Sequence, residues 1–90
     1  MPDITQDALK AAGWHRWEWN NGTLIEWWKG YLGPASLEGC YVGVPFDGKT
    51  GLRLDVRITA LHCRLLAPGV ETMETLEMLP RALAWADTDA

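Results

Sequence analysis

Hydrophobic and polar residues alternate along two stretches of the chain, which is the pattern of β-strands with one buried face. The first stretch, Trp14–Lys29, holds five of the six tryptophans and is interrupted by Asn20-Asn21-Gly22. Asn and Gly tolerate the positive φ angles that a tight turn requires. The stretch therefore predicts a tryptophan-rich hairpin.

Two registers are possible for this tryptophan hairpin. A two-residue loop would place Trp17 opposite Glu26. A three-residue loop would place Trp17 opposite Ile25 and Arg16 opposite Glu26. We favour the three-residue loop, because it pairs opposite charges on one face of the hairpin. It also gathers four apolar residues on the other face: Trp17, Trp19, Ile25 and Trp27.

Tryptophan must also lie on the second face of this hairpin, because the adjacent residues Trp27 and Trp28 point to opposite sides of a strand. Each ring buries on the order of 200 Å², or roughly 5 kcal/mol at about 25 cal/mol per Å². The second face therefore needs a cover, which is either a helix of this chain or a partner. Tryptophan and arginine concentrate binding energy at interfaces. We expect a binding patch there, formed by Trp14, Arg16 and Trp28 with Glu26 beside them.

The second alternating stretch predicts another hairpin, over Cys40–Ala60. Apolar residues occupy every second position from Cys40 to Phe46 and from Leu52 to Ile58, and residues 47–51 form the turn. That turn contains Gly-Lys-Thr, which together with Gly43 fits the bare pattern of a phosphate-binding loop. A strand follows where the phosphate-binding loop requires a helix, so we interpret these residues as a hairpin turn.

Helical spacing of apolar residues predicts helices near both ends of the chain. The first runs over Asp3–Ala12, capped by its first residue and ended by Gly13. The second runs over Glu71–Ala86, and Pro80 should kink or split it. Residues 61–66 fit either a short helix or a bulged continuation of the preceding strand, and we favour the helix.

Together these elements predict a single α+β domain over residues 1–90. A four-stranded, mostly antiparallel sheet is made from two hairpins, Trp14–Lys29 and Cys40–Ala60, and the N-terminal and C-terminal helices pack on it. The predicted core comprises Leu9, Trp17, Trp19, Ile25, Trp27, Val42, Val44, Leu54, Val56, Ile58, Leu76, Leu79 and Leu83.

Charge is distributed unevenly along the chain. Eight basic and twelve acidic residues give a net charge of −4, and the acidic excess lies after Val70. Glu71, Glu74 and Glu77 recur there every three residues, and this acidic segment could dock on a basic protein surface. The chain has no basic excess to neutralise phosphates, so we do not expect it to bind duplex nucleic acid.

The sequence also bears on location. No apolar run reaches the ~18 residues that cross a bilayer, and no N-terminal basic-then-apolar segment suggests secretion. We therefore expect no membrane association and a cytoplasmic protein. In that compartment Cys40 and Cys63 are expected to be buried free thiols.

Few residues are candidates for metal binding or catalysis. The soft metal ligands are His15, Cys40, His62 and Cys63, and they lack the spacing of a metal site. We expect neither a metal nor a cofactor. The cysteine and serine side chains have no adjacent base that a small pocket would organise. We therefore do not expect an enzyme.

The general layout resembles that of small proteins encoded by bacteriophages and prophages. The resemblance depends on the short length, the helix end Leu-Lys-Ala-Ala-Gly-Trp at residues 9–14 and the tryptophan hairpin. It implies an accessory role, often the binding and inhibition of a host protein such as a component of a defence system. It assigns no role to any residue.

We accordingly expect a non-catalytic protein-binding module, with a host protein or a second copy as its partner. Two alternatives are a domain that stacks sugars or single-stranded nucleic acid on tryptophan, and a virion or assembly subunit that self-associates. The expected contact residues are Trp14, Arg16, Glu26, Trp28, Glu71, Glu74 and Glu77.

Overall fold

The computed structural model describes residues 3–31, 33–36, 39–60 and 63–82. Within these ranges the chain forms one antiparallel sheet and two helices, so the predicted α+β class is confirmed. The sheet has five strands and not the predicted four, and they lie side by side in chain order. The strands are β1 (His15–Trp19), β2 (Leu24–Tyr31), β3 (Cys40–Asp47), β4 (Arg57–Ala60) and β5 (Cys63–Leu66), and the helices are α1 (Gln6–Ala11) and α2 (Met73–Ala82).

The tryptophan hairpin adopts the register that we did not favour. Trp17 pairs with Glu26, and four residues, Asn20–Thr23, connect the strands. Both asparagines of this turn have positive φ angles, of 50° and 57°, which asparagine adopts more readily than most residues. The amide and hydroxyl of Thr23 both donate to the Asn20 carbonyl oxygen, at 3.3 and 3.0 Å. The register differs by one residue from our prediction, and such a difference reverses which residues share a face.

Both helices pack on one side of the sheet, which we call the helix face. The main core lies between them and the strands, and Trp14 and Trp27 both belong to it. Each indole N–H finds an acceptor on a helix, since Trp27 donates to Gln6 at 2.9 Å and Trp14 donates to Glu77 at 2.6 Å. The buried core residues are Ile4, Leu9, Trp14, Trp27, Val42, Val44, Phe46, Val56, Met73 and Leu76.

The first helix begins later than predicted. Its N-cap is Thr5, whose hydroxyl accepts a hydrogen bond from the Ala8 amide at 3.1 Å. Asp3 does not cap the helix, because its backbone forms an isolated β-bridge with Thr72. Gly13 follows the helix with a φ of +87°, as the sequence predicts for a glycine that ends a helix.

The second helix is shorter than the predicted Glu71–Ala86 in the part that the structure describes. Its first turn is fixed by Thr72, whose hydroxyl accepts a hydrogen bond from the Thr75 amide at 3.2 Å. The helix continues through Pro80, which is fully buried, so the predicted split does not occur. Residues 83–86 of the prediction lie outside the described residues.

The predicted strand Leu52–Ala60 forms only at its end, as β4. Pro45 in β3 accepts a hydrogen bond from the Leu54 amide at 2.8 Å but has no N–H to return. The pairing with residues 52–56 is therefore reduced to an isolated bridge between Phe46 and Arg53. Leu54 is 44% exposed, so its predicted place in the core is wrong.

The predicted helix over residues 61–66 is also wrong in its described part. Residues 63–66 form β5, which pairs with β4 so that Cys63 lies beside Ala60. Pairing with the free edge of β4 satisfies backbone groups that a helix of one or two turns would leave largely unpaired. Cys63 is exposed, which corrects the expectation of a buried thiol, and Cys40 is half-buried; both are free cysteines.

Most of the predicted core is confirmed. Trp17 is 39% exposed, which corrects its assignment, and Trp19 is half-buried on the side of the sheet away from the helices. Leu83 lies outside the described residues. Three predicted residues are partly buried and pack against the core: Ile25, Ile58 and Leu79. The buried ones are Leu9, Trp27, Val42, Val44, Val56 and Leu76.

The identity of the first N-cap can be tested by substitution. Thr5→Ala should lower the free energy of unfolding by about 1 kcal/mol, because the Ala8 amide loses its acceptor. Asp3→Ala should lower it by less than about half of that, since Asp3 contributes only its backbone to the bridge. Urea denaturation of both variants makes the comparison, and a larger loss for Asp3→Ala would restore Asp3 as the cap.

Candidate binding face

The face of the sheet away from the helices is lined by aromatic side chains, and we call it the aromatic face. Paired residues of antiparallel strands point to the same side. The observed register therefore brings Trp17 and Glu26 together on this face, and it brings Trp28 into line with Gly43 of β3. The side chains of the aromatic face include His15, Trp17, Trp19, Glu26, Trp28, Tyr41, Arg57, Thr59 and Arg64.

The rings of this face form two touching groups. His15 lies against Trp28 with ring centroids 4.6 Å apart, and Trp28 meets the edge of Tyr41 at 6.3 Å. Trp17 and Trp19 form a separate edge-to-face pair at 6.0 Å. Such pairs are worth about 0.5–1.5 kcal/mol beyond the area that they bury. The rings therefore fix one another on the sheet.

A buried carboxylate lies among these rings. Glu26 is 0% exposed, and its Oε1 accepts a hydrogen bond from the indole N–H of Trp19 at 3.0 Å. Its Oε2 lies 2.9 Å from both Nε and Nη2 of Arg57. Charge-assisted hydrogen bonds of this kind are what make burial of a carboxylate tolerable. Glu26 is therefore a structural anchor and not an exposed contact residue.

Glycines make room for this arrangement. A Cβ atom at Gly43 would overlap Oε2 of Glu26, so the carboxylate lies over β3 only because this residue has no side chain. A Cβ atom at Gly33 would overlap the ring of Trp28 in the same way. The turn at residues 33–36 thus folds back over the aromatic face and partly covers it. The cover that we expected from a helix or a partner comes in part from this turn.

Two depressions remain on either side of the turn. One, of about 220 Å³, is lined by Trp17, Trp28 and residues 33–36 and exposes only apolar atoms. The other, of about 390 Å³, lies between the turn and strands β3 to β5. Arg64 and Thr59 reach the second depression, so it is the more polar of the two.

Trp14 does not lie in the predicted patch. It is 4% exposed and belongs to the core of the helix face, where its N–H donates to Glu77. Lys29 Nζ lies 5.5 Å from the centroid of the Trp14 ring and 3.4 Å from Oε2 of the same glutamate. This indole is therefore held by both helix and strand and has almost no surface for a partner.

The remaining members of the predicted patch are separated from one another. Arg16 pairs across the hairpin with Trp27, on the helix face, and its guanidinium contacts Glu18 at 2.5 Å. Trp28 lies on the opposite face, half-buried beneath Gly33. The prediction failed because the one-residue difference in register moves Trp28 away from the face that carries Arg16.

The predicted acidic segment is mostly engaged within the chain. Glu71 contacts Arg53 at 2.9 Å, and Glu77 binds both Trp14 and Lys29. Glu74 is exposed, and no ion pair to it is found in the described part of the chain. The three glutamates therefore do not form one free acidic surface.

Sequence reasoning missed the residues that complete the aromatic face. The sequence does contain their signal, because Tyr41 and Gly43 alternate with the apolar positions of β3 and therefore share its other side. Arg57 and Thr59 hold the equivalent positions on β4. These positions look like a solvated polar strip, since the sequence does not show that Glu26 reaches Arg57 across β3 on the same face.

Tyr41 titrates abnormally in this setting. Burial raises the pKa of its phenol above the ordinary value, and the charge of Glu26 raises it further. The nearby Thr59 hydroxyl and the charges of Arg57 and Arg64 act in the opposite direction and are outweighed. The phenol should therefore remain neutral on this face through the physiological pH range.

Among the described residues, no group of three His, Cys, Asp or Glu side chains could hold a metal ion, and no helix is long and apolar enough to cross a membrane. Neither a protein-family model, nor a curated protein, nor a solved structure matches this chain. The aromatic face is therefore the feature from which a function can be inferred.

The anchoring role of Glu26 predicts a large loss of stability on neutralisation. Glu26→Gln should lower the free energy of unfolding by about 2 kcal/mol or more, because the largely buried guanidinium of Arg57 is left without a counter-charge. Glu18→Gln removes an exposed ion pair of the same chemistry and should cost below about 1 kcal/mol. Denaturant unfolding measures both, and equal small losses would contradict the anchoring role.

The raised pKa of Tyr41 predicts a loss of stability at alkaline pH. The phenol ionises in the unfolded chain before it does so in the folded one, so the unfolded state gains stability as pH rises above the unfolded pKa. Between about pH 9 and about pH 11 the free energy of unfolding should fall more steeply for the wild type than for Tyr41→Phe. Parallel slopes in denaturant titrations would contradict this assignment.

Proposed function

We propose that the chain is a non-catalytic protein-binding module whose contact surface is centred on Trp17. The observation that carries this proposal is the exposure of that ring. Trp17 is 39% exposed on the face that neither described helix covers, and it borders the apolar depression beside the turn at residues 33–36. An exposed indole next to an apolar depression is the combination found at the energetic centres of protein interfaces.

Rigid presentation supports this proposal. Trp17 lies within β1, which is hydrogen-bonded to β2, and its ring contacts Trp19. Trp19 is in turn held by its hydrogen bond to Glu26. A side chain fixed before binding loses little conformational entropy when a partner arrives. The contact residue is therefore pre-organised by the buried carboxylate.

Charge favours a protein over a nucleic acid as the partner. Four cations of the described residues are engaged in ion pairs within the chain: Arg16, Lys29, Arg53 and Arg57. Single-stranded nucleic acid needs free cations along the backbone as well as rings for stacking. The aromatic face supplies rings with few free cations, which suits an apolar protein surface better.

The partner that we propose is a host protein whose activity the module inhibits. This step follows the resemblance of the layout to small phage-encoded proteins. Glu74 is the member of the acidic segment that stays exposed without an ion pair in the described residues, so any contribution from that segment should depend on it. Trp17 is the principal contact in this proposal, and Glu74 is secondary.

Capture by matched variants tests the contact surface. Wild-type protein, Trp17→Ala and Met78→Ala are immobilised and exposed to the same host lysate. Met78 is 59% exposed and lies on α2. The Met78→Ala substitution therefore removes a comparable apolar surface from the other side of the molecule. A protein retained by the wild type and by Met78→Ala, but lost by at least about tenfold with Trp17→Ala, is the expected result.

Denaturant unfolding accompanies this capture experiment. Trp17→Ala should remain folded with a loss below about 2 kcal/mol, because its ring is only partly buried. Equal retention by the three variants, or nothing retained by the wild type beyond a blank surface, would contradict the proposal.

A separate observation favours self-association as a second candidate function. Strand β5 is one of the two edge strands of the described sheet, and Leu65 and Leu66 on it are 65% and 64% exposed. Consecutive residues point to opposite faces, so this edge is apolar on both sides. Exposed apolar edge strands are sites at which another strand can pair. A second copy could therefore add its own β5 to this edge.

Light scattering of two leucine variants tests this candidate. The wild type should approach the mass of a dimer as its concentration rises, and Leu66→Lys should remain a monomer because a charge on the edge opposes pairing. Leu52→Lys is the matched control, since Leu52 is 67% exposed but lies outside the strands. A wild type that stays monomeric at every concentration would exclude pairing through β5.

A further inference from the structure

The more polar depression has the features of a small-molecule site, and we call it the turn cavity. Its volume of about 390 Å³ falls within the usual range for such sites, about 300–1,000 Å³. We propose that the turn cavity binds a small organic anion, in which a carboxylate or phosphate is attached to a flat apolar group. The residues that carry this proposal are Trp19, Pro34, Tyr41, Thr59 and Arg64.

The rim of the turn cavity carries a positive charge. Arg64 is exposed and lines the cavity, and no ion pair to it is found within the described ranges. Arg57, the other cation of this face, is already neutralised by Glu26. The cavity therefore has one free guanidinium, whose planar donors match the oxygens of a carboxylate or phosphate.

The wall of the turn cavity contains a hydroxyl group without a hydrogen-bond partner. Thr59 Oγ1 is buried and has no hydrogen-bond partner. It lies close enough to Tyr41 to influence the pKa of that phenol, but the two hydroxyl groups do not meet the geometry of a hydrogen bond. A buried polar group left unpaired costs about 1–3 kcal/mol. The Thr59 side chain lines the cavity, so rotation about χ1 would turn this hydroxyl from the wall toward a ligand oxygen beside Arg64, which would accept its hydrogen bond.

Part of the wall of the turn cavity is apolar. Trp19 and Tyr41 both line the cavity, and Pro34 closes it from the turn. The indole N–H of Trp19 is committed to Glu26, so the surface that this ring offers a ligand is its carbon framework. Two aromatic rings and a proline favour a flat apolar group over a polar one such as a sugar hydroxyl.

The lining of the turn cavity also disfavours a cationic ligand. None of the described residues that line it is a carboxylate, and Glu26, which holds the Trp19 indole, is 0% exposed and has both oxygens engaged. The proposal does not depend on protein binding through Trp17, because the turn cavity and the apolar depression are lined by different rings. Each can therefore fail without the other.

Titration of ¹⁵N-labelled protein with three related probes tests the proposal. Phenylacetate is the carboxylate, phenyl phosphate is the second anion, and phenylacetamide is the uncharged counterpart. Both anions should shift the NMR signals of the Trp19 indole N–H and of the Thr59 and Arg64 amides. Phenylacetamide should bind at least about tenfold more weakly, because it makes no charge-assisted hydrogen bond.

Variants locate the site within the same experiment. Arg64→Gln should weaken phenylacetate binding by at least about tenfold, and Thr59→Val by about threefold. Arg16→Gln is the matched control, since it removes an exposed arginine from the helix face and should leave the affinity unchanged. No shift at millimolar probe, equal affinity for phenylacetamide, or equal binding by Arg64→Gln would each overturn the proposal.

Discussion

The ion pair between Glu26 and Arg57 is the interaction on which the aromatic face depends. A carboxylate with no exposed surface is stable only where several N–H groups reach it, and here Arg57 and Trp19 supply them. The three residues belong to β2, β4 and β1, so the interaction extends across β3, where Gly43 leaves the necessary space. The orientation of Trp19, and through it that of Trp17, follows from this one pair.

The two sides of the sheet explain why so small a chain contains so many tryptophans. Trp14 and Trp27 are buried beneath the helices, and each uses its N–H to hold a helix residue. Trp17, Trp19 and Trp28 lie on the other side, where a glycine-containing turn covers them only in part. One side is thus a conventional core, and the other is a layer of aromatic rings that contact one another and remain partly exposed. The proposed binding functions use this exposed aromatic surface.

The sequence predicted the fold better than it predicted the site. Alternation and turn residues located the strands of both hairpins, because those signals are local. The observed register of the tryptophan hairpin, with Trp17 opposite Glu26, depends on two asparagines at positive φ. Composition alone could not distinguish it from the register that we favoured, with Trp17 opposite Ile25. Pro45 ended the pairing with residues 52–56 through a missing N–H, against an alternation that favoured a strand. The predicted grouping of Arg16 with Trp28 was wrong for the same reason, since side chains exchange faces when the pairing moves by one residue.

The indole groups of the five described tryptophans are divided between a sealed helix face and an aromatic face that leaves the ring of Trp17 partly exposed. Hydrogen exchange of the indole N–H groups, followed by NMR in deuterated water, measures this division directly. The N–H groups of Trp14, Trp19 and Trp27 should exchange slowly, because each donates to a side chain within the fold. That of Trp17 should exchange faster than any of these three. Protection of Trp17 equal to that of Trp14, or exchange of Trp19 as fast as that of Trp17, would contradict the account.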